Sequence, residues 1–179
     1  MIQIKRMEYV IRNPRTEETD LLKNFLYEAI FVPEGAERPP RDIIEKPELC
    51  MYTDDFGTRK GDYCLVAECD GRVVGAVWTR IMDDYGHVDN ETPSMAISLF
   101  REYRGKRIGS RLMTEMLETL KQQGYRQASL SVQKANYAVR MCRKLGSRPV
   151  RETPEEYIMV CDLPKAKPVI TCRQSGGIF

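Results

Sequence analysis

Two kinds of hydrophobic spacing recur along this chain, and together they predict alternating helices and strands. Apolar residues at helical spacing from Leu21 to Ile30 and from Leu112 to Leu120 predict two helices, each with one buried face. Alternating or continuous apolar runs rich in valine and aromatic residues predict strands instead. The predicted strands cover residues 7–12, 63–69, 72–82, 94–100, 127–132 and 157–163.

Turn and capping residues predict the ends of these elements. Asp70-Gly71 is a strong hairpin signal, so the strands on either side are expected to pair antiparallel. Helices are predicted at 109–123 and 136–144, each followed by glycine. Residues 31–40 are expected to form an ordered loop, and 42–56 have weak helical character. The resulting order β, α, α, β, β, β, α, β, α, β indicates an α/β protein.

Composition excludes several classes of protein. The chain of 179 residues fits one domain, and 42% hydrophobic with 30% charged residues is typical of a globular protein. No run approaches the ~20 apolar residues of a membrane span, so we expect a soluble protein with no membrane partner. The first residues lack the apolar run of a signal peptide, which makes the cytoplasm the expected location. Six cysteines without CxxC spacing and a single histidine disfavour a zinc site, and no metal is expected.

Net charge says little, but its distribution along the chain is informative. The 28 Lys and Arg residues against 26 Asp and Glu leave a formal +2, too balanced to indicate a nucleic-acid partner. Between Arg101 and Arg111, however, five residues are basic and one, Glu102, is acidic. This local field suits an anionic ligand.

The basic stretch coincides with a predicted strand-to-helix turn, residues 104–110. Gly105 and Gly109 permit close approach of the backbone to a ligand, and the first N–H groups of the helix have no partner within it. Such N–H groups bind phosphate oxygens. The turn is therefore a candidate phosphate site, although surface turns of this composition also occur without a ligand.

Two segments resemble those of the GNAT superfamily of acetyl-CoA-dependent N-acetyltransferases. Residues 103–109, Tyr-Arg-Gly-Lys-Arg-Ile-Gly, are similar to the family's acetyl-CoA motif, with Arg107 in place of its middle glycine. Residues 130–147 resemble the family's strand, Asn-x-Ala helix and Leu-Gly ending, with Cys142 where the family usually has tyrosine. With the opening strand and the first hairpin, the resemblance spans roughly residues 8–163.

The resemblance implies a fold and an activity. The fold would be GNAT-like: a mixed, mostly antiparallel twisted sheet with helices on both faces and acetyl-CoA in the crevice after the fourth core strand. One domain would span residues 1–163, followed by a tail at 164–179. The activity would be direct transfer of an acetyl group to the amine of a small-molecule or peptide acceptor. A non-catalytic acyl-CoA sensor or adaptor is the alternative function. Homodimers are common in the family, so the resemblance also leaves a homodimer open.

The resemblance also implies where acetyl-CoA, the only cofactor expected, would bind. The strand end would offer backbone hydrogen bonds to the pantetheine arm, and the loop N–H groups would bind the pyrophosphate. Because Arg107 replaces a glycine, we expect the loop to shift slightly rather than hold arginine at positive φ. The residues expected to bind the cofactor are Leu99, Phe100, Arg101, Arg104, Gly105, Lys106, Arg107, Ile108, Gly109, Ser110 and Asn136.

Several residues are open candidates for the two proton transfers of the reaction. His87 and Glu91, in a polar loop just before the cofactor strand, could act as the base, although a solvated turn would have the same composition. Cys142 takes the position of the family's acid, but a buried thiol needs no catalytic explanation. Tyr137 is a phenol nearby in sequence, and water is a further alternative.

Overall fold

A computed structural model describes residues 8–164 of the chain. Across these residues seven strands form one sheet: β1 (Val10–Arg12), β2 (Tyr63–Cys69), β3 (Arg72–Arg80), β4 (Ser94–Leu99), β5 (Gln127–Gln133), β6 (Arg148–Glu152) and β7 (Glu156–Asp162). Their order is β1-β2-β3-β4-β5-β7-β6, and every neighbouring pair is antiparallel except β4 and β5. The predicted class, a mixed and mostly antiparallel α/β fold, is confirmed.

Helices cover both faces of the sheet. They are α1 (Leu21–Ala29), α2 (Pro47–Cys50), α3 (Ile108–Gln122) and α4 (Ala138–Lys144), with single 3-10 turns at Thr16–Glu18, Arg41–Glu45 and Arg101–Tyr103. The apolar stripe of α1 packs on one face, and that of α3 packs on the other. No helix within residues 8–164 is both long and apolar enough to cross a bilayer.

Period-two alternation along the strands explains how the sheet can be buried on both sides. In β2, Leu65 and Ala67 belong to the α3 core, whereas Cys64 and Val66 belong to the α1 core. Successive side chains of a strand point to opposite faces, so a nearly continuous apolar run supplies both cores. The sheet is therefore a central layer buried on both faces.

The main irregularity is a split between β4 and β5. In the described chain this parallel ladder holds one pair, Ser94 opposite Ser129, reinforced by the Ser129 N–H donating to the Pro93 carbonyl at 2.9 Å. Beyond this point the two strands separate. The facing backbone groups of β4 consequently lose their strand partner and become available to an extended ligand.

A buried ion pair secures the long connection between α2 and β2. The Arg80 guanidinium, 0% exposed, makes two hydrogen bonds of 2.8 Å to the carboxylate of Asp62, which is 1% exposed. It also donates to the carbonyls of Met51 and Asp54, at 2.9 and 2.6 Å. One guanidinium therefore holds both ends of the connection against the end of β3.

Strand β6 is absent from the elements that the sequence predicts. All five of its residues are exposed, and Pro149 interrupts any alternation, so no apolar pattern marks it. Hydrogen bonding to β7 at the sheet edge creates the strand. The weak helical stretch at 42–56 folds as one 3-10 turn and the single-turn α2. The predicted tail beyond Pro164 lies outside the described residues, as do residues 1–7 and with them the start of the first predicted strand.

Candidate active site

A groove of about 460 Å³ opens where β4 turns into α3. Its walls come from β4, the 104–110 loop, the end of α1 and the start of α4. The predicted cofactor residues that line it are Leu99, Arg101, Arg104, Gly105, Arg107, Gly109, Ser110 and Asn136. The fold thus brings the loop and Asn136 to one groove, although 26 positions separate Ser110 from Asn136 in the sequence.

Three predicted cofactor residues point elsewhere. Phe100 packs against Phe25 on the α1 side, and its N–H donates to the Val74 carbonyl at 3.0 Å. Ile108 is 1% exposed and belongs to the α3 core. Lys106 is exposed, with its ammonium 5.6 Å from the centre of a tyrosine ring. The side chains of these residues do not line the groove.

Arg107 begins α3 in the left-handed conformation, with φ 67° and ψ 1°. The expectation that the loop shifts to avoid positive φ is therefore wrong. The following residues are closely packed: Ile108 is 1% exposed in the α3 core, and a Cβ added at Gly109 would lie 3.3 Å from Leu99. Arg107 instead accepts strain of about 1 kcal/mol, and the loop backbone keeps the path that a glycine would allow.

The groove carries a positive charge that is only partly compensated. Four arginines line it, with Glu28 as the acid among them. Glu28 lies 3.1 Å from Arg38 and 3.3 Å from Arg104, and Arg104 also donates to the Leu99 carbonyl at 2.9 Å. Among the described residues, Arg101 and Arg107 have no acidic partner within 4.0 Å. The first turn of α3 holds no acid, so an anion is favoured there.

A second cavity of about 360 Å³ continues the groove into the split between β4 and β5. Ile97, Asn136 and Met141 line both spaces. The Asn136 side chain accepts a hydrogen bond from the Ala138 N–H at 2.9 Å, which fixes the start of α4 at the junction. A ligand lying along β4 can therefore reach from the charged loop to the inner cavity.

The four catalytic candidates do not meet at this junction. Cys142 lines the inner cavity, and Tyr137 lines the outer groove with 66% of its surface exposed. His87 and Glu91 line neither space: the His87 ring lies 2.8 Å from the Met82 carbonyl, and Glu91 is exposed in a turn. Burial raises the pKa of the Cys142 thiol to about 11. Since a free thiol has a pKa of ~8.5, proton transfer from Cys142 to a leaving thiolate would be uphill.

Tyr52 contributes a phenol to the inner cavity that no local sequence pattern indicates. Its hydroxyl donates to Asp84 Oδ2 at 2.7 Å, and Ser94 donates to the same oxygen at 2.7 Å. Burial raises the pKa of Tyr52 well above its ordinary value, and the charge of Asp84 adds to the shift. Tyr52 therefore keeps its proton at neutral pH. The hydrogen bond from Arg80 to the carbonyl of the preceding residue, Met51, fixes the backbone that carries the Tyr52 side chain.

Glu156 is the second residue of the inner cavity that the sequence does not reveal. Its carboxylate accepts hydrogen bonds from Gln133 Nε2 at 2.6 Å and from the Ser131 hydroxyl at 3.2 Å. The β5–β7 register places Glu156 opposite Gln133, so strand pairing rather than a motif brings it to the site. The sequence gives only a weak indication of this polar site: Ser131 and Gln133 alternate with the buried Leu130 and Val132.

No group of three His, Cys, Asp or Glu residues in the described chain is placed to hold a metal ion.

Solved structures with the same fold include two that contain acetyl-CoA or coenzyme A. YncA from Salmonella typhimurium, solved with acetyl-CoA, superposes with a TM-score of 0.66 at 16% identity, covering 92% of this chain and 99% of that one. The PaiA N-acetyltransferase from Thermoplasma acidophilum, solved with coenzyme A, gives 0.62 at 20% identity, covering 87% and 99%. The ribosomal-protein-S18-alanine N-acetyltransferase from Escherichia coli gives 0.62 at 14% identity, covering 91% and 99%.

Sequence comparison gives the family. A search of curated protein sequences found no match. Residues 24–146, more than half of the chain, match the model of the acetyltransferase (GNAT) family. This span includes most of α1, the β4–α3 loop and α4, which contribute to the groove. The chain therefore belongs to the GNAT family of acetyltransferases.

Proposed function

We propose that this acetyltransferase binds acetyl-CoA along β4 and the 104–110 loop, and transfers the acetyl group directly to an amine held in the inner cavity. The observation that carries this proposal is the continuity of the two spaces through the β4–β5 split, with the start of α3 at the outer end. A thioester placed at the split would be reached by CoA from one side and by the acceptor from the other.

The outer groove supplies the binding energy for the cofactor. Unpartnered N–H groups at the start of α3, including those of Gly109 and Ser110, would receive the pyrophosphate, and Arg101 and Arg107 would add charge. The backbone edge of β4 released by the split would pair with the amides of the pantetheine arm. The two solved relatives with acetyl-CoA and CoA have the same fold, which supports this assignment.

The inner cavity would orient the acceptor for attack. The amine nitrogen bonds to the thioester carbonyl carbon, the C–S bond breaks, and CoA leaves as the thiolate or thiol. Holding both reactants in one space replaces a bimolecular encounter and supplies a large part of the rate acceleration. The protonated phenol of Tyr52 lines this space and donates its hydrogen bond to Asp84, which is not among the residues that line it.

Binding of acetyl-CoA tests the proposed groove. Replacing both Gly105 and Gly109 with valine should abolish acetyl-CoA binding in titration calorimetry, because the side chains would occupy the phosphate position and strain the loop. Gly124→Val is the matched control, since Gly124, like Gly105, has positive φ and no neighbour within 4 Å of an added Cβ. The control should lose stability but retain affinity. Thermal stabilisation by acetyl-CoA that survives in the folded double variant would refute the groove assignment.

A thiol-release assay distinguishes an active acetyltransferase from a non-catalytic acyl-CoA sensor. The wild type should release free thiol from acetyl-CoA when a suitable amine is present, and release should require that amine. Tight acetyl-CoA binding without thiol release across a broad amine panel would instead favour a non-catalytic acyl-CoA sensor. The sensor alternative is favoured by Cys142, a neutral thiol at the position where the family usually has its tyrosine acid.

A further inference from the structure

Glu156 is a carboxylate without a cationic partner in a largely apolar cavity. Its described hydrogen-bond donors, Gln133 and Ser131, are both neutral, and no basic side chain among residues 8–164 lies within 4.0 Å of it. A carboxylate in such surroundings is stabilised by an opposite charge far more than by neutral donors alone. Glu156 is partly buried, so its charge is open to the cavity, and an acceptor amine in its ammonium form would supply the counter-charge.

The rest of the cavity lining limits what else the acceptor can carry. Among the described residues that line it there is no lysine, arginine or histidine, so a carboxylate or phosphate on the acceptor would find no counter-charge. Glu156 is also the sole carboxylate in that lining, so a second ammonium would have no partner there. Phe31, Tyr52 and Tyr85 instead provide aromatic walls suited to an apolar body.

We propose that Glu156 binds the ammonium of the acceptor, and that the acceptor is a primary monoamine with an apolar alkyl or arylalkyl body and no adjacent carboxylate. This inference rests on the proposed function of the two spaces. The same chemistry is offered by a free arylalkylamine and by the N-terminus of a peptide that begins with an apolar residue.

Glu156 is also placed to accept the proton that must leave before attack. The carboxylate takes one proton from R–NH3+, which gives R–NH2 and a neutral carboxyl group. The nitrogen lone pair then attacks the carbonyl carbon, the C–S bond breaks, and the second nitrogen proton passes to the CoA sulfur. Glu156 returns its proton to solvent after the amide leaves. The titratable groups that line the cavity with it are Tyr52, Tyr85 and Cys142, with Asp84 behind Tyr52.

A matched set of acceptors tests the substrate class. With acetyl-CoA as donor, kcat/KM for phenethylamine should exceed that for phenylalanine and for spermidine at least tenfold, since phenylalanine adds a carboxylate and spermidine is an alkyl triamine with two further ammonium groups and no aryl body. A short peptide amide beginning with phenylalanine identifies the source: if it exceeds phenethylamine, the acceptor is a peptide N-terminus. Phenylalanine or spermidine acting as well as phenethylamine would overturn the proposal.

Glu156→Gln tests the proposed role of Glu156 in binding and deprotonating the amine. Glu155→Gln is the control, because Glu155 is exposed and does not line the cavity. Glu156→Gln should lower kcat/KM for phenethylamine at least tenfold at pH 7 while acetyl-CoA affinity stays unchanged. The loss should shrink as pH rises toward the amine's own pKa, because the neutral amine needs no base. A loss equal at every pH, or no loss, would remove Glu156 from the reaction.

Direct binding keeps the proposal testable if no amine is turned over. In the presence of CoA, the wild type should bind phenethylamine in titration calorimetry and Glu156→Gln should bind it at least tenfold more weakly. Absence of phenethylamine binding by protein that binds acetyl-CoA would reject the acceptor class alone. Failure to bind acetyl-CoA at all would instead reject the proposed function.

Discussion

Arg107 shows at the scale of one residue how backbone strain can accompany a closely packed helix start. It enters α3 in the left-handed conformation directly before Ile108, which is buried, and Gly109, where an added Cβ would lie 3.3 Å from Leu99. Glycine would take this conformation without strain, whereas arginine brings a charged side chain that lines the groove. In the proposed binding mode, a contact between the Arg107 guanidinium and the cofactor phosphates would offset this strain.

Arg107→Gly and Arg107→Ala separate strain from charge. Glycine should raise the free energy of unfolding by up to about 1 kcal/mol, because relief of left-handed strain exceeds its added unfolded-state entropy. Alanine keeps the Cβ and should not stabilise. Both should weaken acetyl-CoA binding at low salt, and the deficit should shrink at high salt if the guanidinium meets phosphate. Urea unfolding and calorimetry at two ionic strengths measure both effects; a salt-independent deficit would exclude the charge contact.

At the scale of an element, a buried charge pair fixes the α2–β2 connection, which forms part of the inner cavity wall. Arg80 binds Asp62 at one end of the connection and the Met51 carbonyl at the other, and Tyr52 follows directly. The same connection carries Tyr52 to the inner cavity, beside Leu49 of α2. The position of the cavity wall therefore depends on a pair that does not itself touch the cavity.

Asp62→Asn should destabilise the protein by about 3 kcal/mol, because it leaves the fully buried Arg80 guanidinium without its counter-charge. The KM of the amine should also rise, while acetyl-CoA affinity changes little. Glu102→Gln is the control: its pair with Arg72 is exposed at 3.9 Å and should contribute less than about 0.5 kcal/mol. Urea unfolding and steady-state kinetics measure these changes. If Asp62→Asn destabilises the protein no more than the control does, the Arg80–Asp62 pair contributes little to stability.

At the scale of the molecule, the site arises from a split sheet, which limits how much of it the sequence could predict. Local signals suffice for the Asp70-Gly71 hairpin, the α3 stripe and the basic turn, because each depends on residues near one another in the chain. Tyr52 and Glu156 come from a loop and a strand far apart in sequence, and only tertiary packing brings both to one cavity. Exposed β6 has no hydrophobic period, and the strain at Arg107 depends on core packing that spacing does not reveal.

The two cores that sandwich the sheet also predict how stability responds to alkaline pH. Burial raises the pKa of Cys64 to about 12 and that of Cys142 to about 11, one thiol in each core. In the unfolded chain both thiols should ionise near their ordinary pKa of ~8.5. Between that pH and 11 the unfolded chain loses protons that the folded chain keeps, so stability must fall as pH rises.

Under reducing conditions, we expect the wild type to lose about 2.6 kcal/mol more than the Cys64→Ala, Cys142→Ala double variant between pH 7.5 and 9.5, roughly 1.3 kcal/mol for each thiol. The comparison uses the change within each protein, so the cavity that alanine leaves at both pH values cancels. Each single variant should account for about half of the difference, because the thiols lie on opposite faces of the sheet and should act independently. Urea unfolding at the two pH values measures it. Equal losses in the wild type and the double variant would mean that the folded protein lets these thiols ionise, and hence that water reaches both cores.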